Sequence, residues 1–96
     1  MHKRHSISTI DVENGIFFIK DKSGGIYVID SELVTIEAPG RSENIAVERV
    51  GVILCEFGKK LMLVCETDGK KHYLNPKSEV SEIWELESAD EISFLS

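Results

Sequence analysis

The stretch that most constrains the fold is the apolar run at 50–65, VGVILCEFGKKLMLVC, in the middle of the chain. Gly58-Lys59 suits the two central positions of a type II′ turn, so this run predicts a β-hairpin. With that turn, Cys55 lies opposite Met62 on the facing strand. Because side chains alternate along a strand, the pairing assigns each residue of the run to one of two faces.

Both faces of this predicted hairpin are apolar. One holds Ile53, Phe57, Met62 and Val64, and the other holds mostly valine and leucine. In a sheet with one solvent-exposed face, apolar and polar residues alternate along each strand, and in this run they do not alternate. Leaving the four named side chains in water would forfeit roughly 1.5–3 kcal/mol each, which rivals the roughly 5–15 kcal/mol stability of a domain. We therefore expect cover on both faces, from a sheet that curls on itself, a helix, a second subunit or a partner.

The N-terminal third also predicts strands joined by tight turns. Asn14-Gly15 favours a type I′ turn between strands at 6–13 and 16–19, and a strand at 26–29 follows. The last two of these strands are again apolar on both faces. Such repetition favours a closed or two-layered sheet over a flat one.

The region between these strands and the central run reads as turns and loops around a short strand at 33–37. Across the preceding loop, Ile19 is expected opposite Ile26. The segment 38–44, APGRSEN, contains adjacent Pro and Gly and predicts a surface loop. Loops carry function more often than strands do, so Arg41 is a candidate recognition residue, although an exposed arginine is most often simply solvated.

After the central run, Asp68-Gly69 is a second type I′ turn signal, and it sets Cys65 opposite His72. A cysteine and a histidine can serve as nucleophile and base, or as two ligands of a metal. Against both readings, Cys65 lies among leucines, where a thiol behaves as a small hydrophobe. Zinc would need further ligands, and Cys55 falls on the opposite face in the predicted register.

The segment 76–87 fits two structures. Asn75-Pro76 is a good helix start, and Val80 and Trp84 recur at helical spacing. The same two residues would also fall on one side of a strand. We favour the helix, which could cover one face of the central hairpin.

The same segment carries the strongest charge asymmetry of the chain. Glu79, Glu82, Glu85 and Glu87 outnumber its single lysine. An acidic surface speeds association with basic proteins, and a partly buried Trp84 belongs to the residue type most enriched at binding hot spots. These five residues, together with Arg41, are therefore the predicted partner-binding residues for a protein partner, of which a basic protein is one candidate. The alternative is that these glutamates form the solvated face of a helix and bind no partner.

Composition narrows the function classes further. The chain has 96 residues and a net charge of −6, which opposes general binding to phosphate backbones or anionic membranes. No apolar run approaches the roughly 20 residues that a membrane helix needs. The basic stretch at 2–5 is followed by no apolar segment, so it predicts no secretory signal, and the default location is the cytoplasm. That stretch could pair with the acidic segment of the same or a neighbouring subunit.

The predicted fold is one domain over 1–96, mainly β, with α+β as the alternative. We expect a small antiparallel β-barrel or β-sandwich of about seven strands in meander order, with one short C-terminal helix. A short strand at 91–95 would end the chain, and residues 1–5 would be flexible.

The predicted function is a non-catalytic protein-interaction module: a small acidic cytoplasmic protein that binds and modulates a partner, as an inhibitor, immunity or accessory-subunit protein does. Homodimerisation through a sheet face fits the same pattern. We predict no enzyme, no cofactor and no metal. The first alternative is a nucleic-acid-binding barrel using four lysines at opposite ends of one strand, Lys59, Lys60, Lys70 and Lys71. The second is a thiol-dependent enzyme using Cys65 and His72.

Overall fold

The computed structural model describes residues 1–95 and is mainly β, with nine strands in two antiparallel sheets. The strands are β1 (His2–Lys3), β2 (Ile16–Asp21), β3 (Ile26–Asp30), β4 (Leu33–Ala38), β5 (Arg41–Ala46), β6 (Arg49–Leu54), β7 (Met62–Thr67), β8 (Lys70–Leu74) and β9 (Val80–Leu86). The helical elements are α1 (Thr9–Glu13), one 3-10 turn (Ala89–Glu91) and α2 (Ile92–Leu95). The prediction of a mainly β fold with a short C-terminal helix is confirmed, although that helix, α2, lies at Ile92–Leu95 and not in the segment predicted to form it.

The sheets have the orders β1-β9-β2-β3-β4-β5 and β6-β7-β8. Only Val47 and Glu48 separate β5 from β6, so the chain passes directly from the edge of one sheet to the edge of the other. Isolated bridges join the sheets elsewhere, at Lys60 with Glu79 and at Ser6 with Glu56. Between β5 and β8 the described chain has no such pairing, and the sheets do not close into a barrel.

The two sheets face each other across one shared hydrophobic core, so each sheet buries one of its faces. The largest members of this core have less than 2% of their surface exposed. They include Phe17, Ile19, Ile29, Val34 and Ile36 from the larger sheet and Val50, Leu61 and Leu63 from the smaller sheet or its flanks.

The central run forms β6 and β7, but its turn lies one residue earlier than predicted. The Lys59 N–H donates to the Glu56 carbonyl at 3.0 Å, so Phe57 and Gly58 are the central residues. Gly58 has φ +81°, the positive value that the second central position of a type II turn requires. Moving the turn by one residue moves the register by two, and Val52 pairs with Leu63. A shift of two residues preserves the alternation of side chains, so each residue of β6 up to Val52 keeps its predicted face.

Beyond Val52 a register irregularity places Leu54 opposite Met62, where Cys55 was predicted. One extra residue in one strand reverses the faces that follow it. Cys55 thus turns into the core, 2% exposed, instead of away from it. Ile53 is left on the outside with half of its surface exposed.

The predicted strand at 6–13 and hairpin at Asn14-Gly15 are wrong. A helix, α1, ends there, and its start is fixed by a capping box in which Ser8 and Asp11 bond each other's backbone N–H. The Thr9 hydroxyl accepts from the Val52 N–H at 2.9 Å and donates to the Val52 carbonyl at 3.4 Å. The Thr9 side chain of α1 therefore satisfies the backbone N–H and C=O groups of Val52 on the outer edge of β6.

The predicted pairing of Ile19 with Ile26 is wrong by one residue, because Ile19 pairs with Tyr27. The cause is the loop after β2, which closes around the buried carboxylate of Asp21. That carboxylate accepts from the Gly25 N–H at 2.9 Å and from the Tyr27 hydroxyl at 3.3 Å. The slip sends Ile19 and Tyr27 into the core together.

The predicted surface loop at 38–44 is largely wrong. Its Pro39-Gly40 forms a two-residue turn, with Gly40 at φ +77°, while Ala38 ends β4 and the residues from Arg41 onward belong to β5. Arg41 is therefore a strand residue, opposite Ala38.

The predicted helix at 76–87 is wrong, and a strand begins at Val80, as the alternative had it. The alternative placed Val80 and Trp84 on one side, but a register shift near Val80 turns Val80, and not Trp84, into the core. In β9, Ile83 pairs with Ile19 on the core side, while Trp84 pairs with Phe18 on the outer side. Backbone pairing along β2 outweighs the helical spacing. The predicted strand at 91–95 is also wrong, since these residues close the 3-10 turn and form α2.

Candidate functional site

The candidate site is an open mouth between two unpaired strand edges, β5 of the larger sheet and β8 of the smaller one. It is a groove of about 490 Å³. Apolar residues line its depth, among them Ile45, Val47, Cys65 and Leu74. The mouth exists because β5 and β6 diverge into different sheets, while β8 lies beyond β7 and meets no strand of the larger sheet.

The backbone along this mouth offers unpaired hydrogen-bonding groups. Thr67 and Lys70 flank the two-residue turn of the β7–β8 hairpin and pair with each other, so the hydrogen-bonded pairs fall on alternate residues. The N–H and C=O groups of Lys71 and Tyr73 therefore point away from β7. No strand of the described chain lies beyond them.

Hydrogen-bonded pairs alternate in the same way in the β4–β5 hairpin, where the pair Ala38–Arg41 flanks the turn. This alternation of bonded pairs continues to the bond from the Val47 N–H to the Glu32 carbonyl, 2.9 Å. Ser42 and Asn44 thus direct their backbone groups outward along β5. Both walls of the mouth are free sheet edges.

A second exposed feature adjoins β8, on the outer face of the smaller sheet. Ile53 and Met62 keep 50% and 37% of their surface exposed, and Tyr73 keeps 64%. Tyr73 pairs with Val64, two residues along β7 from Met62, so these side chains share the face that points away from the core. The cover expected on both faces of the central run is thus present on one face only within this chain.

The predicted acidic surface is divided among several intramolecular ion pairs. Glu79 binds Lys22 at 3.1 Å, and Glu87 lies 3.7 Å from His2. Glu85 binds Arg4 at 2.6 Å. The basic N-terminal stretch therefore pairs with this acidic segment in the same chain, and His2 and Lys3 form β1 beside β9.

Trp84 and Glu82 remain together on the outer side of β9. The Trp84 indole N–H donates to the Glu82 carboxylate at 3.2 Å, and the Lys3 ammonium lies 5.9 Å from the ring centroid. Trp84 is half-buried above the buried Phe18. Its predicted role in partner binding stays a prediction.

Arg4 is the most connected member of these pairs. Its guanidinium also lies 3.3 Å from Asp11 and 6.0 Å from the Phe17 ring centroid. The hydrogen bond to Glu85 raises the pKa of Arg4, and the Ser8 backbone N–H lowers the pKa of Asp11.

We expect Arg4→Gln to lower the free energy of unfolding by about 1–2 kcal/mol, because it breaks a network and loses packing. Lys22→Gln is the matched control. It removes one exposed pair, and we expect a loss below about 0.5 kcal/mol. Urea unfolding followed by circular dichroism measures both, and equal losses would contradict the network.

Arg41 lies at the mouth between β5 and β8, where it forms an ion pair with Glu43. The sequence singled out Arg41 as a loop residue and Cys65 with His72 as a pair, but it did not predict that the three line one mouth. No local signal marks the mouth, because the two walls come from segments about thirty residues apart.

The predicted pairing of Cys65 with His72 is confirmed in register. The thiol is 4% exposed, and burial raises its pKa. Burial also raises the pKa of Cys55 to about 12. Within residues 1–95, no three metal-binding side chains converge on one point. Since the thiolate is the nucleophile, the arrangement opposes nucleophilic catalysis by either cysteine.

The four lysines of the nucleic-acid alternative lie as the sequence predicted. Lys59 and Lys60 are in the turn region before β7, whereas Lys70 and Lys71 start β8 at the other end of β7. They do not form one basic patch. None of the helices within residues 1–95 has the length and apolar character of a membrane span.

Comparison with known proteins finds no matching family model, no matching curated protein and no matching solved structure.

Proposed function

We propose that this protein is a non-catalytic interaction module that binds and modulates a protein partner, in the manner of an inhibitor, immunity or accessory-subunit protein. The observation that carries the proposal is the apolar outer face of the smaller sheet. Ile53, Met62 and Tyr73 lie exposed there, one on each of the three neighbouring strands of that sheet. Contiguous apolar surface of this kind marks interaction sites in folded proteins.

The proposal moves the main contact away from the acidic residues named from the sequence. Glu79, Glu85 and Glu87 already have basic partners in the same chain, which lowers the gain from docking a basic protein. Aromatic residues and methionine are enriched at interface centres, whereas glutamate is depleted there. Two buried, unpaired cysteines suit a reducing compartment, so we propose the cytoplasm as its location.

The test is a set of pull-downs from the source cell with matched variants. Ile53→Lys with Met62→Lys should reduce the capture of a specific partner at least about tenfold, because two buried lysines would replace the apolar contact. Ile10→Lys makes the same chemical change on α1, where Ile10 is 72% exposed, and should leave capture unchanged.

A third variant separates the two candidate surfaces. Glu82→Lys with Glu87→Lys should leave capture intact if the apolar face is the contact. Loss of the partner in this variant, with retention in Ile53→Lys/Met62→Lys, would restore the acidic surface and overturn the apolar one. Circular dichroism of each variant checks that the fold is retained.

A further inference from the structure

We propose that the free edge of β8 receives an extended segment of the partner protein as an added β-strand. This deepens the proposed function, on which it rests, by naming the partner's local structure and chemistry. The first reason is the unpaired backbone along the mouth. Lys71 and Tyr73 present N–H and C=O groups outward with no strand beyond them in residues 1–95. Water can bond these groups one at a time, but another extended backbone can pair with the whole alternating row.

The second reason is the lining of the mouth, which selects apolar side chains at alternate positions of the added strand. Alternate side chains of a strand beside β8 would point to the core side, toward Ile45 and Leu74. The 490 Å³ of space there lies over Ile45, which the chain buries only partly, and over Leu74, which keeps 7% of its surface exposed. The remaining side chains of the strand would lie on the outer face beside Tyr73.

The third reason is continuity with the exposed apolar face. Lys71 and Tyr73 have their side chains on the outer side, with Met62 and Ile53 farther along the same sheet. A strand added at β8 extends that face by one strand and shields the free side of Tyr73. The edge of β5 offers no such neighbour, since Ser42, Glu43 and Asn44 are polar and exposed.

The charge of the edge gives the partner segment its sign. Lys70, Lys71 and His72 follow one another along β8, and the contact of Lys71 with Glu66 is long, at 3.9 Å. Opposite charges on adjacent strands stabilise a pair, and like charges oppose it. The segment should therefore carry a carboxylate near Lys71 and no lysine or arginine.

A second copy of this chain is a poorer occupant. Antiparallel pairing of β8 with itself around His72 would set Lys70 opposite Leu74 on the core side. Polar side chains would then enter the mouth, and its apolar lining would stay uncovered. An antiparallel register that pairs Lys71 with its own copy places like charges opposite each other, which is destabilising.

The test uses a library of random twelve-residue peptides displayed on phage, selected against the wild-type protein. The expected winners alternate apolar residues with polar ones and include an acidic residue. Their affinity is then measured by fluorescence anisotropy. Lys71→Pro removes one outward N–H without touching the bonds to β7, and it should weaken binding at least about tenfold. Lys71→Ala keeps that N–H and should weaken binding less than about threefold.

Ser42→Pro is the control on the other wall of the mouth and should have no effect. A second measurement avoids any dependence on the proline variants. In the wild type, a bound peptide should slow amide hydrogen exchange at Lys71 and Tyr73, which have no partner without it. His72, already bonded to β7, should change little.

Three outcomes would overturn strand addition: no enriched alternating peptide, equal binding to Lys71→Pro, or protection at Ser42 and Asn44 in place of β8. These outcomes are separate from the fate of the proposed function. If the library fails while Ile53→Lys/Met62→Lys still loses its partner, protein binding stands and only the added strand is rejected.

Discussion

Asp21→Ala is expected to lower the free energy of unfolding by about 3–5 kcal/mol, measured by urea denaturation at neutral pH. The Asp21 side chain is 3% exposed and organises the whole loop between β2 and β3. Its Oδ1 accepts from the backbone N–H groups of Ser23 and Gly25, both at 2.9 Å, and from the Ser23 hydroxyl at 2.6 Å. Its Oδ2 accepts from the Tyr27 hydroxyl at 3.3 Å.

The size of this effect follows from what the substitution leaves behind. Gly25 and Tyr27 would keep buried donors without acceptors, and each orphaned group costs about 1–3 kcal/mol. The carboxylate is packed closely against the loop, since a methyl group on Gly25 would meet it at 2.7 Å. Burial, with the charge of Asp21 second, raises the pKa of Tyr27 to about 12.

Two controls apportion the loss. Asp21→Asn keeps an oxygen acceptor in place and should cost about 1–2 kcal/mol. Tyr27→Phe removes only the longest of the four hydrogen bonds and should cost about 1 kcal/mol. If Asp21→Ala costs less than Tyr27→Phe, the loop is held by its backbone bonds and not by the carboxylate. The slope of the urea transition should not change in any of the three.

Asp21 also explains one limit of what the sequence could predict. Hydrophobic pattern identified β2 and β3, but their register depends on how a four-residue loop closes around one carboxylate. By contrast, Asp68-Gly69 predicted both the turn and the pairing of Cys65 with His72. Asp68 at φ +53° and Gly69 at φ +73° leave one turn geometry available, and turn geometry sets register.

The helical elements show a second limit. The five residues of α1 are too few for a periodic pattern, and the capping pair Ser8 and Asp11 was the only local signal. In β9 the opposite occurred, because the spacing of Val80 and Trp84 fits a helix while pairing with β2 makes a strand. Tertiary pairing decided both, and a single sequence does not display it.

The candidate mouth could not be predicted for a related reason. Its walls, β5 and β8, are each ordinary hairpin strands, and nothing in either segment says that its outer edge stays unpaired. The exposed face did have a signal, since the central run is apolar on both sides. The sequence predicted that something must cover both faces, and the structure shows that this chain covers one.

Native-state alkylation is the second large effect we expect. Cys55 and Cys65 should react with iodoacetamide near neutral pH at least about a hundredfold more slowly than in the urea-unfolded chain. Burial raises the pKa of Cys55 from 9.0 to about 12, which lowers its thiolate fraction about a thousandfold. The higher basicity returns roughly a twentyfold gain in nucleophilicity. Exclusion of the reagent from a side chain 2% exposed slows the reaction further.

The raised pKa of Cys55 also fixes a direction for stability against pH. A thiol whose pKa is higher in the folded chain contributes stability that is complete below the unfolded value, near 9.0. That contribution is lost as the pH rises toward 12. We therefore expect the free energy of unfolding of Cys55→Ala to fall less steeply above pH 9 than that of the wild type. Cys65→Ala is the matched variant for comparison.

Alkylation of single-cysteine variants also tests the thiol-enzyme alternative. In Cys55→Ser the only remaining thiol is Cys65, opposite the exposed His72. Fast labelling of that thiol near neutral pH, slowed by His72→Ala, would be the signature of an activated cysteine and would contradict the non-catalytic proposal. Slow labelling that His72→Ala leaves unchanged is what burial among Leu63 and Leu74 predicts, because a thiol held in apolar surroundings stays protonated whichever residue pairs across from it.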